Sequence, residues 1–242
     1  MAARRKAVIP LSPLNGAIHK QTAQTMIRDK IVSLIASGIL QVRDELPGER
    51  ELASMLMVSR ETARGAVRQL AAEGIVRVSH GMRTRVAKGN VAVERIGITN
   101  PSSINGYQLD EVHRARVLVE TAVVADAALH LTDEEIRRLE NSIAAQALAG
   151  NDPVRFLICD REFHLTIYKA CRNRLLAAFV VDLYSYMLDQ RRIAMAKPGA
   201  IARSLEEHRF IVSALRMRNP EAVAAAFSKH ISRIHETSRD LL

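Results

Sequence analysis

Asp160 and His164 lie four residues apart in the run FLICDREFHLTIY (156–168). On a helix that spacing turns the second side chain only ~40° from the first, so both point to one side. His208 sits in EEHRFIVSAL (206–215) and His230 in FSKHISRI (227–234), each in the middle of a helical stretch beside apolar neighbours. Three imidazoles and one carboxylate from three helices are a donor set for one divalent cation. Zinc comes first, nickel, manganese, cobalt and iron are also suited, and positions remain for water or a ligand. The plainer alternative is that each histidine is satisfied singly by a backbone or carboxylate partner, and short motifs far apart in sequence do not decide between the two. Arg116 poses a similar choice. It precedes Glu120 by one turn on a stretch otherwise carrying Val112, Val119, Val123 and Ala127. It therefore either pairs with Glu120 or forks onto the carboxylate of an effector, whose two oxygens match paired guanidinium donors. His19, His113, His130 and His235 read as surface or helix-end residues.

Positioning those side chains calls for helices. From Tyr107 onward nothing alternates as a strand does, and turn signals mark helices at roughly Tyr107–His130, Thr132–Ala149, Asp152–Cys171, Asn173–Ala196, Ala200–Met217 and Pro220–Leu241. Thr132-Asp133-Glu134-Glu135 is an N-cap with an acidic first turn, and Asn219-Pro220-Glu221 places proline at a first helical position. Stripes such as Phe156, Phe163, Ile167 and Tyr168 are too wide for a coiled-coil seam, so residues 107–242 are expected to form an antiparallel bundle.

The stretch Leu46–Val86 has a different chemistry. Pro47 and Gly48 open a short helix over Glu49–Leu56, and a turn passes Met57 and Val58. Ser59 then caps a second helix that runs to Glu73 and stops at Gly74. Ala63, Val67, Leu70 and Ala71 form its buried face, while Arg60, Arg64 and Arg68 stack on another. Ile75–Val78 and Arg83–Val86, joined by Ser79-His80-Gly81-Met82, read as a β-hairpin wing. An earlier helix, capped by Thr22 or Thr25 and ended by Gly38, braces the pair with Ile27, Ile31, Val32, Leu34 and Ile35. The sum is a winged helix-turn-helix with a basic stripe on its second reading element.

Charge supports that placement. The net charge is +9; residues 1–90 hold 15 Lys/Arg against 7 Asp/Glu, the remainder 20 against 19. Basicity confined to one module favours a polyanionic partner, double-stranded DNA, over a generally solubilising surface. Two cysteines give no disulfide framework and suit a reducing cytoplasm. Neither an export signal nor a long apolar run indicates a membrane. The expected organisation is a flexible arm (1–20), a DNA-binding domain (21–88), a linker rich in Gly, Asn and Ser (89–106), and a helical effector-binding and dimerisation domain (107–242).

LPGERELA (46–53), VSRETAR (58–64), LAAEG (70–74) and the His80-Gly81 pair resemble the winged-helix domain of GntR-type bacterial transcription regulators over Thr25 to Val86. Arg116 with Glu120, Asp160 with His164, the run ending at Asn173, Glu207-His208 and the lone His230 resemble, in order and separation, the ligand-sensing domain of that family's FadR-type branch, in its six-helix subgroup. The resemblance implies a homodimer reading a short palindromic operator. Arg50, Ser59, Arg60, Thr62 and Arg64 would contact phosphates and base edges, and His80 and Gly81 the minor groove. It also implies that Asp160, His164, His208 and His230 hold a metal against which a small organic acid binds, with Arg116 at the acid. Four positions depart from the usual pattern and bear on the preferred base sequence: Met57, Glu61, Gly65 and Met82. The expected function is a ligand-responsive transcription regulator, in the repressor sense, and not an enzyme. The alternative is a metal-dependent hydrolase with an appended DNA-binding module.

Overall fold

Thr22 opens the first helix of the computed structural model, its Oγ1 accepting from the Thr25 amide at 3.2 Å. The structure describes residues 22–78, 83–89, 91, 106–184 and 188–239, so the arm, most of the linker, and His80 and Gly81 at the wing tip lie outside the described residues. Helix α1 (Ala23–Ala36) buries Ile27, Ile31, Val32, Leu34 and Ile35. Helices α2 (Glu49–Met55) and α3 (Arg60–Ala72) follow, with Ser59 Oγ accepting from the Thr62 amide at 3.0 Å as the α3 cap. Ala63, Ala66, Val67 and Leu70 of α3 pack inward, leaving Arg60, Arg64 and Arg68 exposed. Gly74, at φ +66, stops the helix where a residue with a Cβ would be strained.

Two of the unusual positions can be placed here. A Cβ on Gly65 would stand 2.4 Å from the side-chain amide of Gln24, the far end of an exposed side chain that is free to turn aside. Met57 occupies the turn at φ +53, a left-handed conformation more commonly left to glycine. The wing is a two-stranded antiparallel sheet, β1 (Val76–Arg77) paired with β2 (Arg85–Val86) in the register Val76 to Val86 and Arg77 to Arg85.

The C-terminal helices are α4 (Leu109–His130), α5 (Asp133–Leu148), α6 (Pro153–Lys169), α7 (Arg174–Tyr184), α8 (Leu188–Met195), α9 (Ala200–Arg216) and α10 (Pro220–Arg239). The single helix expected over Asn173–Ala196 is met by two described segments, α7 and α8, and residues 185–187 between them lie outside the described residues. Local chemistry sets several helix starts. Thr132 and Glu135 exchange capping bonds, and Asp152 Oδ1 accepts from the amides of Val154 and Arg155 ahead of Pro153 at the first turn. Helices α4 and α10 form the most extensive pair, α5 packs on α6 and α9, and α8 touches α6, α9 and α10. Among the described residues no helix is long and apolar enough to cross a membrane.

The winged domain rests on the bundle through polar contacts. Arg192 of α8 grips Asp44 through both Nη atoms (Nη2 at 2.9 Å) and also reaches the Ile39 carbonyl. Arg155 pairs with Glu51 at 2.8 Å, Lys30 pairs with Glu162, and Arg161 donates to Ser33 Oγ at 3.0 Å. Glu51, Ser33 and Lys30 belong to α1 or α2, and their partners all belong to α6.

Candidate metal centre and nucleic-acid interface

Helix α6 carries Asp160 and His164 on the face turned into the bundle, α9 brings His208 and α10 brings His230, all four buried. One nitrogen from each histidine lies within 4.8 Å of the others. The orientation of each ring follows from its opposite edge. His208 Nδ1 lies 2.7 Å from Gln146 Oε1 on α5, and His230 Nδ1 lies 2.6 Å from Glu207 Oε2 on α9. Both partners are acceptors, so those Nδ1 atoms carry the proton and the Nε2 atoms present bare lone pairs. For His164 the partner is Tyr168 Oη at 3.2 Å, which itself donates to Glu120 Oε2 at 2.8 Å. A phenol that has spent its proton on a carboxylate accepts from His164 Nδ1, and the same tautomer results. All three Nε2 atoms are buried, with no hydrogen-bond partner among the described residues.

Asp160 completes the group. Its Oδ2 accepts from Tyr184 Oη at 2.6 Å and from Arg191 Nη2 at 3.0 Å. Its Oδ1 lies 3.4 Å from His208 Nε2 and 3.6 Å from His164 Nε2, too far for good hydrogen bonds. Burial pushes the Asp160 carboxyl up, but His164, Arg191 and His208 outweigh it and hold the group well below the ordinary carboxylate range. Burial, reinforced by His230, lowers His208 well below the usual imidazole value. It also brings His230 down to about 4 against the opposing pull of Glu207. An ionised carboxylate, beside imidazoles such as His208 and His230 that burial biases towards the neutral form, suits a divalent cation, which requires deprotonated ligands. Phe163 stacks on His208 with ring centroids 4.4 Å apart, and Phe156 and Phe227 close the walls, so water has little access to the cluster.

Around this centre stand residues that the sequence did not single out. Tyr168 was legible as an apolar-stripe member four residues after His164, on the same helix face, and Glu207 as the neighbour of His208. Gln146, Tyr184 and Arg191 carried no sequence signal, because their roles depend on which helices the bundle brings together. Arg116 forms the ion pair with Glu120, Nε to Oε1 at 2.5 Å, and also lines a recess with Arg191. His113 and His235 are not simple surface residues. Their rings stack at 4.0 Å between α4 and α10, and His235 Nε2 reaches Asp110 at 3.0 Å. The geometry of two helices packed side by side decides this, and it is invisible in either helix alone.

On the winged domain, Arg50, Ser59, Arg60 and Arg64 are exposed and Thr62 is half-buried. The hydroxyls of Ser59 and Thr62 lie 2.6 Å apart within the cap. Arg64 pairs with Glu61 on the same exposed face.

Residues 23–86 match the bacterial regulatory proteins of the gntR family, and residues 111–233 match the FCD domain. The chain belongs to the GntR family. It is a FadR-type member, a transcription regulator whose bundle is an FCD ligand-binding domain. Two relatives of this GntR regulator are the HTH-type transcriptional repressors NanR of Salmonella newport and Salmonella typhimurium. Each is 26% identical over 236 residues, covering 91% of this chain and 86% of the relative. Among solved structures, E. coli McbR/YncC shares the fold with a TM-score of 0.55 at 17% identity, covering 91% of this chain and 99% of that one. The NanR relatives are transcriptional repressors, and the hydrolase alternative is set aside on that ground.

The depressed imidazoles make stability depend on pH in chelator-treated protein. His230 titrates at about 4 in the fold and near 6.5 when unfolded, so the unfolded chain binds the extra proton between those values. Its contribution is complete above 6.5 and is lost as pH falls towards 4, a loss of roughly 3 kcal/mol. Denaturant unfolding of the chelated protein across that window is expected to show the decline, and His230→Gln is expected to flatten it.

Proposed function

We propose that this GntR regulator is a ligand-responsive repressor, acting in the cytoplasm as a homodimer on a short palindromic operator and released by a small organic acid held at a divalent metal ion. The observation that carries the reading is the set of three buried Nε2 atoms without partners beside Asp160 Oδ1. Asp160, His164, His208 and His230 are the proposed ligands, and zinc is the first choice for such a donor set. When bound, the ion supplies a Lewis-acid anchor for an oxygen of the effector. The hydrogen bonds that the far ring edges donate to Gln146, Glu207 and Tyr168 do what outer partners of metal-bound histidines do: they fix the tautomer and the ring plane.

For DNA, Arg50, Ser59, Arg60, Thr62 and Arg64, with His80 and Gly81 at the wing tip, are the proposed contacts. Arginine can donate to O6 and N7 of guanine together, and the repressor sense follows the NanR relatives. Dimerisation is supported by α4 and α7, which pack together and leave Leu118, Leu129 and Leu175 exposed. Responsiveness is supported by the two elements that touch both halves of the chain. Helix α6 carries Asp160 and His164 inward and Arg155, Arg161 and Glu162 towards α1 and α2. Helix α8 carries Arg191, bound to Asp160, next to Arg192, bound to Asp44. A shift of either helix on ligand binding is therefore delivered to the winged domain.

Chelation is expected to lower the melting midpoint by ~5–10 °C. His164→Ala, His230→Ala and Asp160→Ala should reproduce that loss and the loss of effector response, without weakening operator binding. Absence of stoichiometric metal after reconstitution, or wild-type behaviour of all three variants, would refute the metal reading. Arg60→Ala and Arg64→Ala should each cost about 1–3 kcal/mol on the operator in anisotropy titrations. Unchanged affinity for both would remove them from base reading, and a monomeric chain in light scattering that still binds tightly would remove the dimer. Arg192→Ala should keep metal and effector binding while losing about 1 kcal/mol or more of the coupling between effector and operator. Full effector-driven release in that variant would show that α8 does not carry the signal.

A further inference from the structure

Beside the three-histidine centre lies a recess lined by Leu109, Val112, His113, Arg116, Arg191 and His235, among others. Two of these are cations almost wholly removed from solvent, Arg116 at 7% and Arg191 at 4% exposure. Arg191 joins the recess to the centre. Its Nη2 donates to Asp160 Oδ2 at 3.0 Å and its guanidinium lies 4.5 Å from the Tyr184 ring centroid, while its Nη1 is buried with no hydrogen-bond partner. A buried guanidinium donor without an acceptor is costly, and no protein group in the described structure meets this one.

Charge makes the same point independently. The ionised groups around the centre balance one another: Asp160 faces Arg191, Glu120 faces Arg116 and Glu207 faces Arg233. A divalent cation on the proposed ligands thus adds two positive charges that none of these groups offsets, in surroundings where uncompensated charge is expensive. A single carboxylate on the metal cancels one of them. The other calls for a second anionic group, and Arg191, which lines the recess, keeps a buried Nη1 donor to receive it.

We propose that Arg191, assisted by Arg116, selects effectors with two acidic groups, a short dicarboxylate in preference to a monocarboxylate, one carboxylate meeting the metal and the other Arg191 Nη1. This rests on the metal-and-effector reading above and narrows its ligand class. An arginine suits the position because its planar fork can hold Asp160 with one nitrogen and the effector with another, which a lysine ammonium cannot do in the same geometry.

The test uses the full chain loaded with zinc to stoichiometry. It is titrated by calorimetry with succinate and with butyrate, acids of equal chain length, and its melting midpoint is followed in parallel. Succinate is expected to bind about tenfold more tightly and to give the larger rise in midpoint. Arg191→Lys, which keeps a positive charge beside Asp160, should retain zinc and reduce the preference to about twofold or less. Equal affinities in the wild type, or an undiminished succinate preference in Arg191→Lys, overturn the proposal. A protein that takes up zinc and binds neither acid refutes the ligand class while leaving the metal reading intact. A protein that takes up no zinc refutes the reading on which the proposal rests.

Discussion

Three imidazole lone pairs turned towards one another in a dry pocket are the constraint around which the bundle is built. All three are buried, the rings of Phe163, Tyr184 and Phe227 pack against them, and among the described residues no donor meets any Nε2. Such a cluster persists only if each ring is held from its other edge. That requirement distributes residues over several helices: Gln146 on α5, Tyr168 on α6 and Glu207 on α9. The stack of α5, α6, α9 and α10 is thus specified twice, once by apolar stripes and once by hydrogen bonds that work only at one relative placement of the helices.

A second layer of paired charges surrounds the first. Glu120 with Arg116, Asp160 with Arg191, and Glu207 with Arg233 keep the polar interior neutral in the absence of a cation. These pairs, two buried and the third half-buried, are weak evidence for stability, since desolvation offsets much of their attraction. Their value lies in geometry: each carboxylate or guanidinium fixes a neighbour that faces the centre. Because α6 and α8 also carry Arg155, Arg161 and Arg192 to the winged domain, the same helices that hold the interior pairs hold the DNA-reading module against the bundle.

The winged domain is built on a simpler principle. Its elements are short, and their ends are written in adjacent residues: the Ser59 cap, the Gly74 stop, the Thr22 start. Two positions go against propensity: Gly65 sits within α3 opposite the exposed Gln24 side chain of α1, and Met57 takes a left-handed turn at the point where α2 hands over to α3. Glu61, acidic on the reading face, pairs with Arg64 one turn along.

The sequence by itself determined most of what is local. Caps, stops and apolar periodicity are properties of windows a few residues long, so the helix-turn-helix, the wing strands and the helical character of the second half were legible from them. So was the shared face of Asp160 and His164, which follows from helix geometry alone. What only the tertiary structure decided is everything that requires two distant helices to meet. Spacing left open whether His208 and His230 converge with His164; the bundle brings one nitrogen of each within 4.8 Å of the others. Gln146, Tyr184 and Arg191 acquire their roles from that convergence, and the stacking of His113 on His235 comes from the α4 and α10 pair. The physical reason is that a hydrogen bond or an orphaned lone pair is a property of pairs of atoms in space. A sequence window reports which face a side chain takes, and the packing of faces decides what it meets.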